Sequence, residues 1–431
     1  MSAEKPLGCA TVNSPSPTLI ATHSGLRGRP GSELSAAVVV RTVGGLLALL
    51  RRRQLPVAIA VARDERETSA GLASTVMEAA ISSGADVVDL GVLPTPAAKL
   101  AARRRDLGGA VIVTGSHLDP ELNGLKLVAA PTYGPLDVNE LFKPAEAELA
   151  GPAATRGGRG RVRADDGATQ EHVHAICEAI DAERVRAAKL SASASGSAGA
   201  GPAMLLEELG CARPEAHPQI GLRLDADGDR LALIDEQGAA LDSELTLALC
   251  LLGLEARDVV KGADTSRMID ALAEQRGGNV RTVPPGEIHL VAALAEDGGD
   301  LAGEGNGGVV VPAVGLARDG LAAAGTVLWL LARTGRPLSE LAAEMPRYAR
   351  IRSTLGCDDR ASGWEALEGL AERVGAAAQR NLGVVVEREA GAWGIARISA
   401  TEPVIRITAE GPDLGSAEAV HEELRAGLSA R

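Results

Sequence analysis

The chain has 431 residues, carries 44 Lys plus Arg against 57 Asp plus Glu for a formal net charge of −13, and is only 1% aromatic. At roughly 100–200 residues per domain, this length predicts two to four domains with a sizeable core and no need of covalent staples. The acid excess argues against nucleic acid or an anionic membrane surface as the principal partner, and Tyr133, Phe142, Trp329, Tyr348, Trp364 and Trp393 are too scattered to stack bases. Cys9, Cys177, Cys211, Cys250 and Cys357 are odd in number and form no C-x-x-C pair, which fits a reducing cytoplasm. Met1 to Pro17 is polar and lacks the apolar region of a signal peptide. Ala36 to Leu50 is broken by Arg41 and ended by Arg51, Arg52 and Arg53, too charged to span a bilayer. A soluble, cytoplasmic protein is expected.

In chain order, Val57–Val61 reads as a strand, Arg63–Thr68 as a polar loop and Ser69–Ser83 as a helix. A strand at Val87–Leu90, a helix from Pro94 through Arg105 and a strand at Gly109–Val113 follow. Strands alternating with helices predict an α/β layer with a parallel or mixed sheet, and the alternation returns between Val259 and Val311. Gly151–Gly167 and the low-complexity Ser191–Pro202 read as linkers bracketing a helix, Thr169–Lys189. On that helix His172 and His174 lie roughly 200° apart about the axis, too far to share a metal. The last segment reads as helix Gly363–Gln379, strands Leu382–Glu387, Ala396–Ser399 and Val404–Ala409, and helix Ser416–Leu428, a small α+β unit.

Four loops carry chemistry. In Thr114–Lys126, Ser116 leaves a strand end beside Gly115 with His117 and Lys126 following, the makings of an activated hydroxyl near positive charge; a Pro-containing turn is the plain alternative. In Gly221–Asp235, Asp225, Asp227 and Asp229 sit at a hairpin turn between apolar runs. Like charges so close call for a hard divalent cation, Mg²⁺ foremost. An EF-hand would need Gly where Arg230 stands, and a D-x-D-G-T phosphatase would need Thr where Asp229 stands; a metal-free surface turn also remains open. In Gly303–Gly308, Glu304 and Asn306 present a carboxylate and an amide suited to sugar hydroxyls, or form a simple Gly-rich turn. In Arg397–Arg406, two arginines, Ser399, Thr401 and main-chain N–H groups make either a phosphate cradle or a solvated hairpin.

Together and in order, these loops resemble the α-D-phosphohexomutase family, which comprises phosphoglucosamine mutase, phosphomannomutase and phosphoglucomutase. Ser24–Gly28 matches its G-I-R-G-like turn, Thr114–Lys126 its T-A-S-H-N-P…N-G-x-K serine loop and Asp225–Arg230 its D-x-D-x-D-R loop. Gly303–Gly307 matches its G-E-x-S/N-G sugar loop and Arg397–Arg406 its R-x-S-x-T-E-P-x-x-R loop. The resemblance implies a four-domain architecture around a central cleft: three α/β domains with mixed sheets (1–150, a shortened 151–248, and 249–352) and a small C-terminal α+β domain (353–431). It implies interconversion of hexose 6-phosphate and hexose 1-phosphate through a phosphoserine and a bisphosphate intermediate. Ser116, His117, Lys126, Arg27 and Arg230 would be catalytic. One Mg²⁺ per chain would sit on Ser116, Asp225, Asp227 and Asp229. Glu304, Asn306, Arg397, Ser399, Thr401 and Arg406 would bind substrate, and a hexose 1,6-bisphosphate would act as activator. The expected partner is a small sugar phosphate, and the expected assembly a monomer or homodimer.

Glu304-Gly-Asn-Gly-Gly308 followed by Arg318-Asp-Gly320 is similar to the phosphoglucosamine branch, with phosphomannomutase/phosphoglucomutase, or a phosphosugar-binding paralogue without turnover, as alternatives. The chain departs from the pattern in several places. Leu118 and Asp119 replace Asn and Pro, bringing negative charge near a phosphorylated serine that demands compensation. Gly308 stands where other branches have His, Pro285-Gly-Glu287 replaces a Val-Gly-x turn, and the second domain is short.

Overall fold

The computed structural model describes residues 19–22, 25–116, 118–141, 158–196, 199–213, 218–399 and 404–429. Four sheets follow one another along the chain. The first is built from β1 (Ile20–Thr22), β2 (Gly25–Gly28), β3 (Ala58–Arg63), β4 (Asp86–Val92), β5 (Gly109–Val113), β6 (Asn123–Ala129), β7 (Gly134–Pro135) and β8 (Val162–Ala164). Its order is β1-β2-β6-β5-β3-β4-β8, with β7 on β6. Strands β5, β3, β4 and β8 run parallel, β6 runs against them, and β2, antiparallel to β6, runs with them again, so the sheet is mixed as expected. The apolar run Gly109–Val113 is buried throughout, because helices cover both faces of its parallel neighbours.

The second sheet has three strands in the order β11 (Leu231–Ile234), β10 (Ile220–Leu224) and β9 (Ala192–Ser195). The third runs β13 (Asn279–Val283), β12 (Asp258–Gly262), β14 (Leu301–Gly303), β15 (Val309–Val310). The fourth is antiparallel throughout: β16 (Ala349–Gly356), β20 (Val404–Gly411), β19 (Trp393–Ile398), β18 (Gly383–Glu387), β17 (Ala378–Gln379). Helices Arg360–Val374 and Leu414–Ser429 pack on the fourth sheet around a core of its own that includes Leu367, Val384, Ile407 and Leu424.

Several expectations from sequence are corrected. Ser191–Pro202 is not a linker. Its first half is β9, paired in parallel with β10, and Pro202 lies in the first turn of the helix Gly201–Glu208. Ala192 is wholly buried, since a methyl group is small enough to sit under a sheet and still reads as low complexity. The helix expected over Thr169–Lys189 is two, Ala168–Ala179 and Ala182–Ala188, broken where the Asp181 carboxylate accepts the Arg184 N–H at 3.1 Å and caps the second. Residues 151–157 of the other expected linker lie outside the described residues, and β8 follows them as an edge strand of the first sheet, so that sheet extends past residue 150. Limits at 248 and 352 fall inside the helix Glu244–Leu254 and β16.

The short second sheet is not left with a meagre core. Leu205, Leu222 and Leu233 from its side and Leu249, Leu321 and Leu328 from the third sheet's helices belong to one continuous apolar cluster. His172 faces this seam, fully buried, with Nε2 at 2.6 Å from Asp319 Oδ2, whereas the exposed His174 faces Glu178 at 3.2 Å.

Since Ala192 is the buried residue of this strand, Ala192→Asp places an unpaired charge in the shared core. Urea unfolding should show a loss of about 3 kcal/mol or more. A mid-point unchanged from wild type would return the segment to a linker.

Candidate active site

The serine loop leaves the carboxyl end of β5, where ligands gather in parallel sheets. Ser116 has φ 52° and is buried. A left-handed backbone costs a residue with a side chain on the order of 1–2 kcal/mol, and such strain collects at functional sites. The loop is held from beneath by Arg66, whose guanidinium donates to the carbonyls of Ser116 (2.8 Å), Leu118 (2.7 Å), Asp119 (2.7 Å) and Leu122 (2.8 Å). Asp64 orients Arg66 at 3.3 Å and accepts the Gly115 N–H at 3.2 Å. Gly115 is obligatory here, because a Cβ would lie 2.4 Å from Arg66 Cζ. Arg66 supplies positive charge directly under the departures Leu118 and Asp119, and Asp119 itself is exposed to solvent.

Sheet register brings the cations in. Arg27 on β2 pairs with Gly124 on β6, two residues from Lys126, and both side chains are buried. Lys126 Nζ donates to Asp229 Oδ2 at 2.8 Å and to Asp227 Oδ2. Thr95, at the start of the helix Thr95–Arg104, donates its hydroxyl to Asp227 Oδ2 at 3.1 Å and its N–H to the Asp227 carbonyl at 2.8 Å. Burial pulls the Arg27 pKa down against the attraction of Asp227 and Asp229.

The aspartate loop joins β10 to β11 in an antiparallel hairpin, as the sequence predicted. One oxygen each of Asp225, Asp227 and Asp229 lie within 4.8 Å of one another. Asp225 Oδ2, Asp227 Oδ1 and Asp229 Oδ1 are buried and have no hydrogen-bond partner, while Lys126 occupies the opposite oxygens of Asp227 and Asp229. Burial, with Asp229 and Asp227 beside it, pushes the Asp225 carboxyl up to about 9. Burial would raise Asp229 too, but Arg318, Lys126 and Arg230 hold it well below the usual carboxylate range. Three clustered carboxylates, each keeping one buried oxygen without a hydrogen bond, fit a hard divalent cation.

Glu304 directly follows β14 and is buried, its Oε1 accepting the Gly286 N–H and its Oε2 accepting from Arg318 Nη1, both at 2.8 Å. Asn306 is exposed at the loop tip, with Oδ1 accepting the Gly308 N–H at 3.0 Å. Backbone bonds dock this loop on the aspartate hairpin: Leu231 N–H donates to Gly307 at 3.0 Å, and Gly320 N–H to Gly228 at 3.0 Å. The altered turn Pro285-Gly-Glu287 joins the same network, for Glu287 pairs with Lys99 at 2.6 Å and accepts the Arg318 N–H at 2.9 Å.

On the fourth sheet Arg397 and Arg406 are directly paired across β19 and β20. Two like charges so placed repel, and Asp264 offsets one of them, accepting from Arg397 Nε and Nη2 at 3.0 and 2.7 Å. Ser399 N–H donates to the Val404 carbonyl at 2.8 Å.

A cavity of about 550 Å³ is lined from all four sheets, by Leu118, Asp119 and Lys126, by Arg230, by Glu287, Glu304, Asn306 and Arg318, and by Arg397, Ser399 and Arg406. A second, about 440 Å³, adjoins it and shares Glu304, Asn306, Arg397 and Arg406. Both lie in the size range of small-molecule sites. Of the residues expected from sequence, Lys126, Arg230, Glu304, Asn306, Arg397, Ser399 and Arg406 meet here, and Arg27, Asp227 and Asp229 lie beside Lys126. His117, Thr401 and Ser24 lie outside the described residues. Arg66, Lys99 and Asp264 were not expected, and Glu287 and Arg318 were noted in the sequence only as parts of motifs, with no role in the site.

Comparison with known proteins agrees with this geometry. Residues 19–137 match the family model for phosphoglucomutase/phosphomannomutase alpha/beta/alpha domain I, and residues 242–348 that for its domain III. The chain is 30% identical to a probable phosphoglucosamine mutase of Methanopyrus kandleri, over 93% of this chain and 95% of that one. A phosphoglucomutase/phosphomannomutase family protein of Burkholderia thailandensis superposes with a TM-score of 0.79 at 24% identity, over 95% and 96% of the chains. An Aspergillus fumigatus N-acetylphosphoglucosamine mutase, solved with GlcNAc-6P and magnesium, has a TM-score of 0.58 at 14% identity and 97% coverage of each chain.

Because Arg66 ties four carbonyls of one loop, Arg66→Ala should free residues 115–122. Their amide exchange should quicken by about tenfold or more, the equivalent of losing one or two charge-assisted hydrogen bonds. Protection equal to wild type would show that the loop is held by other means.

Proposed function

The chain belongs to the phosphoglucomutase/phosphomannomutase family, and from that footing we propose that it interconverts hexose 6-phosphate and hexose 1-phosphate, with glucosamine phosphate as the leading substrate. The observation that carries this reading is the cavity in which Glu304 and Asn306, the arginine pair Arg397 and Arg406, and the cations Lys126 and Arg230 converge. The name of the Methanopyrus relative supports the glucosamine branch, and that of the Burkholderia neighbour keeps glucose and mannose phosphates as the second reading.

In this reading Ser116 carries the phosphoryl group. Arg397, Arg406 and Ser399, with Thr401, grip the non-reacting phosphate, while Glu304 and Asn306 accept and donate hydrogen bonds to the ring hydroxyls. Glu304 has both oxygens bonded within the protein, which aims the remaining lone pairs without cost at the moment of binding. The phosphoryl group leaves Ser116 Oγ for a sugar hydroxyl, whose proton departs, and the resulting bisphosphate reverses in the cleft and returns its other phosphoryl group to the serine. A hexose 1,6-bisphosphate would prime the serine by the same reversal. Lys126 and Arg230, with Arg27 behind them, offset the charge spread over the transferring group, which is most of what phosphoryl transfer asks of a protein. His117 remains the sequence-based candidate for proton transfer. Asp225, Asp227 and Asp229 would hold one Mg²⁺, which when bound supplies Lewis-acid polarisation of a phosphoryl oxygen.

The same reading takes the four sheets as four domains, each lending one loop, and a cytoplasmic location. Among the described residues, no helix is long and apolar enough to cross a membrane.

After incubation with glucose 1,6-bisphosphate, intact mass and peptide mapping should find one phosphate on Ser116. Phosphorus NMR should show 1-phosphate and 6-phosphate interconverting, fastest for glucosamine phosphate, with turnover lost in Ser116→Ala. Full turnover in that variant would sink the serine assignment, and ligand binding without any turnover of wild type would favour a non-catalytic paralogue. Arg406→Ala should raise KM roughly 10- to 100-fold, the value of a charge-assisted hydrogen bond to phosphate, with a smaller change in kcat. Chelation should abolish turnover and lower the melting temperature, and Mg²⁺ should restore both.

A further inference from the structure

Arg318 lies outside the loops that carry the proposed chemistry, yet it touches two of them. Its Nη2 donates to Asp229 Oδ2 at 2.6 Å and its Nη1 to Glu304 Oε2 at 2.8 Å, and the side chain is buried. The mounting is firm. Arg318 bridges to Val310, Asp319 N–H donates to Val309 at 2.7 Å, and the Asp319 carboxylate caps the helix Gly320–Thr334 by accepting the Leu321 and Ala322 N–H groups. The Arg318 N–H is fixed in turn by Glu287, the partner of Lys99.

Asp229 Oδ2 is therefore taken up by Arg318 and Lys126, while Oδ1 is buried without a hydrogen-bond partner, and one oxygen of Asp229 lies within 4.8 Å of an oxygen of Asp225 and of Asp227. One guanidinium reaches two separate carboxylates because its nitrogens form a rigid fork, which a lysine ammonium cannot copy. The stem needs room as well. A Cβ on Gly308 would come within 2.6 Å of Arg318 Cδ, so the missing side chain at 308 is what lets the arginine pass.

We propose that Arg318, admitted by Gly308, is a positioning residue that locks the cation-binding face of Asp229 and the sugar-binding Glu304 into one geometry. The identity of the ligands rests on the phosphosugar-mutase reading; the lock itself does not. Metal affinity alone tests it, with Mn²⁺ as the spectroscopic probe, by electron paramagnetic resonance titration of the full chain. Arg318→Lys and Gly308→Ala both conserve net charge, so a change in affinity cannot come from a more or less negative site. Each should weaken Mn²⁺ binding by about 10- to 100-fold, the usual effect of losing a residue that orients a metal ligand. Each should also raise KM for glucosamine 6-phosphate. Melting curves check the fold, and Gly308→Ala, a single added methyl group, keeps the test open if Arg318→Lys does not fold. Mn²⁺ affinity within twofold of wild type in a folded variant would overturn the proposal. If wild type binds Mn²⁺ but no sugar phosphate, the proposed function fails while the Mn²⁺ comparison still decides the role of Arg318.

Discussion

Three carboxylates crowded into a buried hairpin turn are the constraint around which the other units are placed. Asp225, Asp227 and Asp229 bring oxygens within 4.8 Å of one another, and charges taken out of water must be met by opposite charge in good geometry or the fold loses several kcal/mol for each. No single sheet supplies the answer. Lys126 and Arg27 come from the first sheet, Arg230 from the hairpin itself and Arg318 from the third. Satisfying the aspartates thus requires that the units meet, and where they meet is a cleft lined with fixed positive charge. An acidic protein acquires in this way a local field suited to a small dianion.

The seams between the units differ in kind. The second and third share one apolar core, which cannot open without exposing leucine and isoleucine side chains to water. The fourth keeps its own core and meets the third through charges. Arg350 and Arg352 pair with Glu244, Arg267 with Glu387, and Arg397 with Asp264. Salt screens the exposed members of this set, Arg352 and Glu387, within about 10 Å at 0.1 M, whereas the buried Arg350 and Glu244 are screened much less.

Much of this was legible in the sequence. Continuous apolar runs such as Gly109–Val113 announced parallel strands, and ordered motifs announced the loops. Ser191–Pro202 misled because alternating alanine and serine look like linker composition, yet they form a strand whose Ala192 is small enough to be buried while Ser193 and Ser195 face solvent. The break at Ile180 and Asp181 was hidden by helix-forming residues on both sides, with only the aspartate cap to mark it. The roles of Arg66, Glu287 and Arg318 were illegible for another reason. Each is a lone charged residue whose meaning lies in partners far along the chain, from Leu118 for Arg66 to Asp229 for Arg318. Such a pairing has no period and no spacing.

Asp264 deserves to be seen from the ligand's side. It already holds Arg397 through two hydrogen bonds, so if Arg397 grips phosphate as proposed above, an arriving phosphate finds an arginine engaged with an internal rival. A doubly charged phosphate competes with that carboxylate better than a singly charged anion such as chloride or acetate does. The same rivalry keeps the grip shallow. For a bisphosphate that must let go, turn end for end and be caught again before it escapes, a clamp that refills itself from within offers a quick exit from each hold.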